Sequence, residues 1–381
     1  MSWESRRRLA LAVCASVLGA AVLSLLPGIG AAHAAAEPPG GARSPVRWAV
    51  PLSGGAWGVA ADARGGVVVV DDGAVVAVTP AGHTRWTAHA VDVTEAEPAL
   101  DGTTVLVGGE GGVTALSRDR GVVRWHVDLP GEVPAVALAG DLALAGTDSG
   151  MLTAFDARTG APRWSASRPR ALWSAPRVDV AAATVVAAWH GSDAPRVEVL
   201  DLATGASRWS APMGIGAAAP TIAGRGADAV VVVASGDGHF TAGVEAHDLA
   251  SGALRWRTAV PASFERAIEP AAGRREVVVV DHFGTVTALD VTDGRIRWRR
   301  SLGTPVLATR ISLTRSRVVL TTHDGTVTVL GRADGRRVAA TTRHRLAGYP
   351  VGGLAVHWGG VPGWLTGLRL SNAGLALLRV P

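Results

Sequence analysis

The sequence predicts an all-β protein, an eight-bladed β-propeller of four-stranded antiparallel blades, and three observations predict it. The dipeptide Arg-Trp occurs seven times, ending at Trp48, Trp86, Trp125, Trp164, Trp209, Trp256 and Trp298, at intervals of 38, 39, 39, 45, 47 and 42 residues. A recurrence near 40 residues marks a repeat architecture and takes precedence over local structure. Short unbroken runs of Val, Leu and Ala recur in step with it, and no segment after residue 34 carries a convincing helical period. Asp72-Gly73, Asp237-Gly238 and Asp324-Gly325 fall between such runs, where they supply the positive φ of tight hairpin turns.

The chain opens on a leader. Arg6, Arg7 and Arg8 are basic, Leu9 to Leu26 is apolar, and Ala32-His33-Ala34 offers a small-x-small cleavage site, so residues 1–34 read as an export signal. Ser5 to Leu9 weakly resembles a twin-arginine signal. The apolar run also has the length of an uncleaved membrane anchor, although Pro27 and Gly28 followed by small residues favour cleavage. Residues 35–45, with Pro38-Pro39-Gly40-Gly41, form a linker, and 46–381 is the propeller.

Charge and cysteine narrow the function. All 37 basic residues among the 381 are arginine, which excludes lysine Schiff-base and lysine-nucleophile chemistry. Loss of a leader carrying Glu4, Arg6, Arg7 and Arg8 takes the formal charge from +5 to +3, which gives no case for nucleic-acid binding. Membrane contact is expected only through the N-terminal segment, if it is kept. Cys14 is the single cysteine and lies within the leader, too early and after Val13 rather than a lipid-anchor motif. The exported chain therefore has no disulfide and no thiolate metal site.

Each repeat has one grammar. A small residue and Pro open a first strand, and a Val or Leu run forms a second. A third strand alternates, as in Val113-Thr114-Ala115-Leu116, and Thr-Gly-x-x-Arg-Trp closes the unit on a fourth. The second strands are Val67–Val70, Val105–Val107, Leu142–Ala145, Val185–Ala188, Val230–Val233, Val277–Val280 and Val318–Leu320, runs suited to cover on both faces. Openings at Trp57, Pro98, Pro134, Pro176, Pro220, Pro270, Arg310 and Pro350 make eight blades. In the seventh, Ala339 stands where the indole belongs. The eighth, from Tyr349 to Pro381, lacks a closing strand, which Arg47-Trp48 can supply from the other end of the chain, leaving no free edge.

Blades splay outward around a ring, and a large flat indole fills the gap between neighbours while its N–H seeks a carbonyl on the next blade. The seven tryptophans are therefore assigned to blade docking and not to a sugar platform. The Arg before each lies on the exposed face of the outermost strand.

The repeat resembles the pyrroloquinoline-quinone-like (PQQ-like) propeller repeat, Ala-x-Asp-x-x-Thr-Gly-x-x-x-Trp, best at Ala154 to Trp164, Val199 to Trp209, Ala246 to Trp256 and Ala288 to Trp298. A WD40 propeller fits less well, since Asp never follows the recurring Trp. The resemblance implies one of two branches. Quinoprotein dehydrogenases hold the quinone and Ca²⁺ above the central channel, with a vicinal cysteine pair and Glu, Asn and Asp ligands. Here the one Asn is Asn372. The other branch, non-catalytic, includes the eight-bladed barrel-assembly lipoprotein BamB, a protein-binding scaffold, and this chain looks like it in size, blade count and export signal. It departs from it in lacking a usable lipid-anchor cysteine. The resemblance thus implies no PQQ and no Ca²⁺.

Candidate sites are few. Gly214 to Ala219 matches a dinucleotide fingerprint in letters, but Pro220 follows at once and no helix can present its N-terminus. His190, His239, His282 and His323 recur at the turn between second and third strands, with Asp193, Asp237, Asp281 and Asp324 nearby. They are read as solvated turns rather than as a metal site, for which several would have to meet within about 2.1 Å of one ion. The better candidate is the channel mouth, on the face of the blade-to-blade crossings: Trp57, Glu97, Glu269, Arg310 and Tyr349 beside the openings. Trp173 and Arg266 come from the long crossing loops Ser165–Ala175 and Arg257–Glu269. Mixed charge and aromatics on a rigid frame suit a polypeptide or small polar ligand. The expected protein is an exported, monomeric, non-catalytic scaffold of the cell envelope or exterior that binds a protein or peptide through this top face, with no catalytic residue and no metal. The alternative is a PQQ-dependent dehydrogenase with a degenerate site.

Overall fold

Val-rich runs with no helical period to compete take extended backbone. Among the described residues the one regular element that is not a strand is a short 3-10 turn, Gly226–Asp228. The structure is a computed structural model. It describes residues 46–50, 58–61, 67–71, 73–79, 83–89, 93, 97–172, 174–191, 195–214, 219–236, 241–261, 270–281, 283–303, 311–321, 327–340, 356–357, 364–370 and 374–379. Residues 1–45, where a leader and a linker are expected, lie outside them. Ser44–Pro381 forms one compact unit.

The described strands form eight sheets, seven of four strands and one of three. In the three-stranded sheet one long strand, Thr104–Ser117, fills two places: its first part pairs with Ala99–Leu100 and its second with Val123–Glu132. Strands follow chain order within every sheet but the last. There Val46–Val50 lies antiparallel to Gly374–Arg379, pairing Trp48 with Leu377, so the start of the ring completes the sheet that ends it. The first strands of successive sheets touch in cyclic order, from Gly58–Ala61 and Ala99–Leu100 round to Ser312–Leu313 and Val356–His357, which meets Gly58–Ala61 again. A radial ring of sheets with its seam covered in this way is a β-propeller.

The core lies between the sheets. One cluster joins Val230, Val232, Val244 and Trp256 of one sheet to Val277, Val279 and Leu289 of the next, and another joins Leu144, Leu152 and Trp164 to Val185, Ala187 and Leu200. Cover on both faces also reaches the third strands. Their alternation suggests a polar face, yet Thr114, Thr153 and Thr287 are buried. Thr114 and Thr153 instead meet side chains of the fourth strand, Thr114 Oγ1 with His126 Nδ1 at 2.8 Å and Thr153 Oγ1 with Ser165 Oγ at 3.1 Å.

A β-bulge recurs where the fourth strand meets the third. Ala154 pairs with Trp164 and Phe155 with Pro162, skipping Arg163. Arg85, Arg124, Arg208, Arg255 and Arg297 are skipped in the same way. In the sheet without a tryptophan, Val338 takes that place. A bulge re-aims side chains. Here it leaves the indole facing the next sheet, while Arg163, Arg208 and Arg255 turn back to an Asp of their own sheet and Arg85 reaches Asp119 of the next at 3.8 Å.

Candidate functional site

The repeat motif builds the joints that hold any site in place. In the third sheet Asp156 Oδ1 accepts from the Thr159 amide and hydroxyl, both at 2.9 Å, while Oδ2 accepts from Arg163 Nη2 at 2.7 Å. The Gly160 amide donates to the Asp156 carbonyl at 2.9 Å, closing the turn. Asp201 with Thr204 and Arg208, and Asp248 with Ser251 and Arg255, repeat the arrangement. Donation by Arg163, then by Thr159, holds Asp156 well below the usual carboxylate range. Arg208 and Thr204 lower Asp201 from 3.8 to about 2, and the Ser251 amide followed by Arg255 lowers Asp248 to about 2.

The tryptophans then cross to the next sheet. Trp86 Nε1 donates to the Arg118 carbonyl at 2.9 Å, Trp125 to Ala157 at 3.0 Å and Trp164 to Leu202 at 2.9 Å. Trp209 donates to Leu249 at 2.9 Å, Trp256 to Val291 at 2.7 Å and Trp298 to Arg332 at 2.9 Å. Each ring lies on the motif glycine of that next sheet. Gly205 has φ +69, and a Cβ there would fall 2.4 Å from Trp164 Cε3. The glycine is thus needed twice, for a left-handed backbone and for the ring's approach. Of Trp48 the backbone pairing alone is described.

Of the set expected at a channel mouth, the described residues include Glu97. Glu97 is half-buried, just before the buried Pro98 that leads into Ala99–Leu100. Trp57, Trp173, Arg266, Glu269, Arg310 and Tyr349 lie outside the described residues, as do His239, His282, His323, Asp193, Asp237 and Asp324. His190 is no solvated turn. It exchanges backbone hydrogen bonds with Ala171 at 2.7 and 2.8 Å, and burial lowers its pKa. Asp281 is buried and accepts from the Thr285 amide at 2.6 Å. Among the described residues no three His, Cys, Asp or Glu side chains gather as metal ligands would.

In the crossing loop 165–175, Arg168 grips Glu198 with both edges of its fork, Nε to Oε2 at 3.0 Å and Nη2 to Oε1 at 2.7 Å. Its guanidinium carbon stands 5.8 Å from the Trp189 ring centre. Glu198 and Trp189 are buried. Arg168 is therefore spent on fixing the loop to the sheet.

The other end of the sheets, where the first-to-second and third-to-fourth turns emerge, carries a feature that the repeat grammar conceals. A cleft of about 1420 Å³ runs across the fifth, sixth and seventh sheets. Arg225, Arg274, Arg275, Arg315 and Arg317 line it from equivalent first-to-second turns, and none of these side chains makes an ion pair among the described residues. In its wall the buried Glu276 is clamped by Arg332 of the next sheet and by Arg297 at 3.5 Å. Arg332 also donates to the Thr314 carbonyl at 2.6 Å. A Cβ on Gly273 would lie 1.9 Å from Arg332 Nη2, so this glycine leaves the path by which Arg332 reaches across. The signal available in sequence is arginine at the same turn of three successive repeats.

The family described as outer membrane protein assembly factor BamB matches residues 32–194 and 240–340. Curated protein sequences give no match. Among solved structures, BamB from Moraxella catarrhalis superposes with a TM-score of 0.66 at 18% identity, covering 87% of this chain and 99% of that one. The computationally designed Ika8 protein gives 0.68 at 16%, covering 87% and 98%. Quinohemoprotein alcohol dehydrogenase from Comamonas testosteroni gives 0.64 at 12%, covering 88% and 77%. At these identities the structural likeness concerns the fold. The family match spans more than half of the sequence, and the chain belongs to the BamB family of PQQ-like β-propellers.

Proposed function

We propose that this protein is an exported, non-catalytic scaffold of the cell envelope that docks a protein or peptide partner on the mouth face of an eight-bladed ring. The observation that carries the reading is the repeated interlock of indole, carbonyl and glycine between successive sheets. It fixes the sheets against one another, and loops borne on a stiff frame are where binding residues concentrate. Membership of a family described as an assembly factor supports a protein as the ligand. The mouth set would be Trp57, Glu97, Trp173, Arg266, Glu269, Arg310 and Tyr349, with no PQQ, Ca²⁺ or other cofactor and with the N-terminal leader as the route of export.

A photo-crosslinking residue at position 97, in the exported full-length protein, should capture one discrete partner. The same residue at position 158, on a turn at the other end of the sheets, should not. Equal capture at both positions contradicts the reading. The dehydrogenase-like neighbour supports a second reading, a quinone-dependent oxidation. Oxidation of an alcohol or sugar by pure protein with added quinone and Ca²⁺, coupled to a dye, would establish that reading in place of the first.

A further inference from the structure

The cleft across the fifth, sixth and seventh sheets lies at the opposite end of the strands from the mouth and is independent of the proposed function. We infer that it is a second binding site, for an acidic polypeptide segment. Seven arginines line it against three carboxylates, Asp228, Glu276 and Asp334. Two of the seven, Arg332 and Arg297, are engaged with Glu276, and the five turn arginines make no ion pair among the described residues. Arg317 brings a second sign of an absent partner: its Nε is buried and has no acceptor among the described residues. A buried donor left unmade is costly, and an arriving oxyanion would satisfy it.

The chemistry of the lining selects the ligand. A guanidinium is planar and presents paired N–H donors that match a carboxylate in fork geometry. Within the cleft itself a guanidinium already holds a carboxylate: Arg332, from the next sheet, brings Nε and Nη2 to Glu276 Oε1. The volume exceeds the roughly 300–1,000 Å³ of small-molecule pockets, which suits a segment of chain over a single metabolite. Phosphate polymers bring acceptors alone, whereas Asp228 on the same lining accepts no side-chain hydrogen bond among the described residues. A polypeptide supplies both kinds of group, with carboxylates for the turn arginines and backbone N–H groups for Asp228.

The test uses the full exported chain and a fluorescein-labelled peptide of alternating Glu and Ala, followed by anisotropy. The account predicts saturable binding that weakens with added salt. It also predicts a loss of about tenfold or more in R274E/R275E, since reversed charge at a close pair acts strongly on affinity. The charge-matched control R120E/R158E, on turns of other sheets at the same end, should stay within about twofold of wild type. All four positions are exposed, and circular dichroism melts confirm that each variant folds. Equal loss in both variants would show general attraction and overturn the site. So would absence of binding by the wild type, or tighter binding of polyphosphate of matched charge.

Discussion

Trp164 and Gly205 are built against each other. The indole of one sheet lies flat on a left-handed glycine of the next, with φ +69, and its Nε1–H reaches the Leu202 carbonyl at 2.9 Å three residues before that glycine. Ring, glycine and carbonyl form one joint, repeated with Gly121, Gly160, Gly252, Gly294 and Gly335 beneath Trp86, Trp125, Trp209, Trp256 and Trp298.

Two substitutions separate the parts of the joint. Trp164→Ala is expected to cost about 3–5 kcal/mol, the range for a buried aromatic cut back to a methyl. Trp164→Phe keeps most of the apolar contact but leaves the Leu202 carbonyl without its donor, for about 1–3 kcal/mol. Urea denaturation of both variants checks the order, and a Phe variant as unstable as the Ala variant would put the whole effect in the hydrogen bond.

Much of this joint was legible in the sequence. The spacing of Arg-Trp gave the period, and the need of an indole N–H for an acceptor pointed to the next sheet. The bulge that skips each arginine was hidden, because strand pairing decides it and composition does not. Burial of Thr114, Thr153 and Thr287 was hidden for a related reason: an alternating strand reads as half-solvated unless both faces are known to be covered. The Arg168–Glu198 clamp spans 30 residues, and the arginine cleft is assembled from turns of three repeats. Neither has a fixed sequence spacing to betray it.

Acid should loosen the repeat turns first. Asp201 and Asp248 titrate at about 2 in the folded protein, and Asp156 is held below the usual range, against about 3.9 for an unfolded aspartate. Their contribution is full above about pH 4 and is lost as pH falls through the folded values, which lie near 2 for Asp201 and Asp248. The triple variant D156N/D201N/D248N is expected to be less stable at pH 7 and to show a shallower fall below pH 4. Denaturation midpoints measured from pH 7 to 2 check this, and an unchanged acid slope would contradict it.

Glu198 should be the costliest charge to strand. Removing its partner with Arg168→Ala leaves a buried carboxylate unpaired, for about 3–5 kcal/mol, and adding Glu198→Gln should recover part of the loss. Thermal unfolding followed by tryptophan emission checks both, since Trp189 lies beside the pair. A double variant no more stable than Arg168→Ala alone would argue against the pairing.

Ring closure has its own test. Deleting Val46–Val50 uncovers the edge of Gly374–Arg379, and an exposed edge invites pairing with other chains. The truncated protein is expected to melt at lower temperature and to aggregate with rising concentration, as light scattering will show. A truncation that melts like the full chain would place the closing contact elsewhere.

The joint between sheets is tested most directly by a double-mutant cycle on Trp164 and Gly205. In the wild-type background Gly205→Ala meets both a left-handed backbone, at about 1–2 kcal/mol, and the indole. With Trp164→Ala in place only the backbone cost remains, so the account predicts a coupling of about 0.5–3 kcal/mol between the two. Strict additivity would mean that the ring and the glycine do not bear on each other, and would contradict the account.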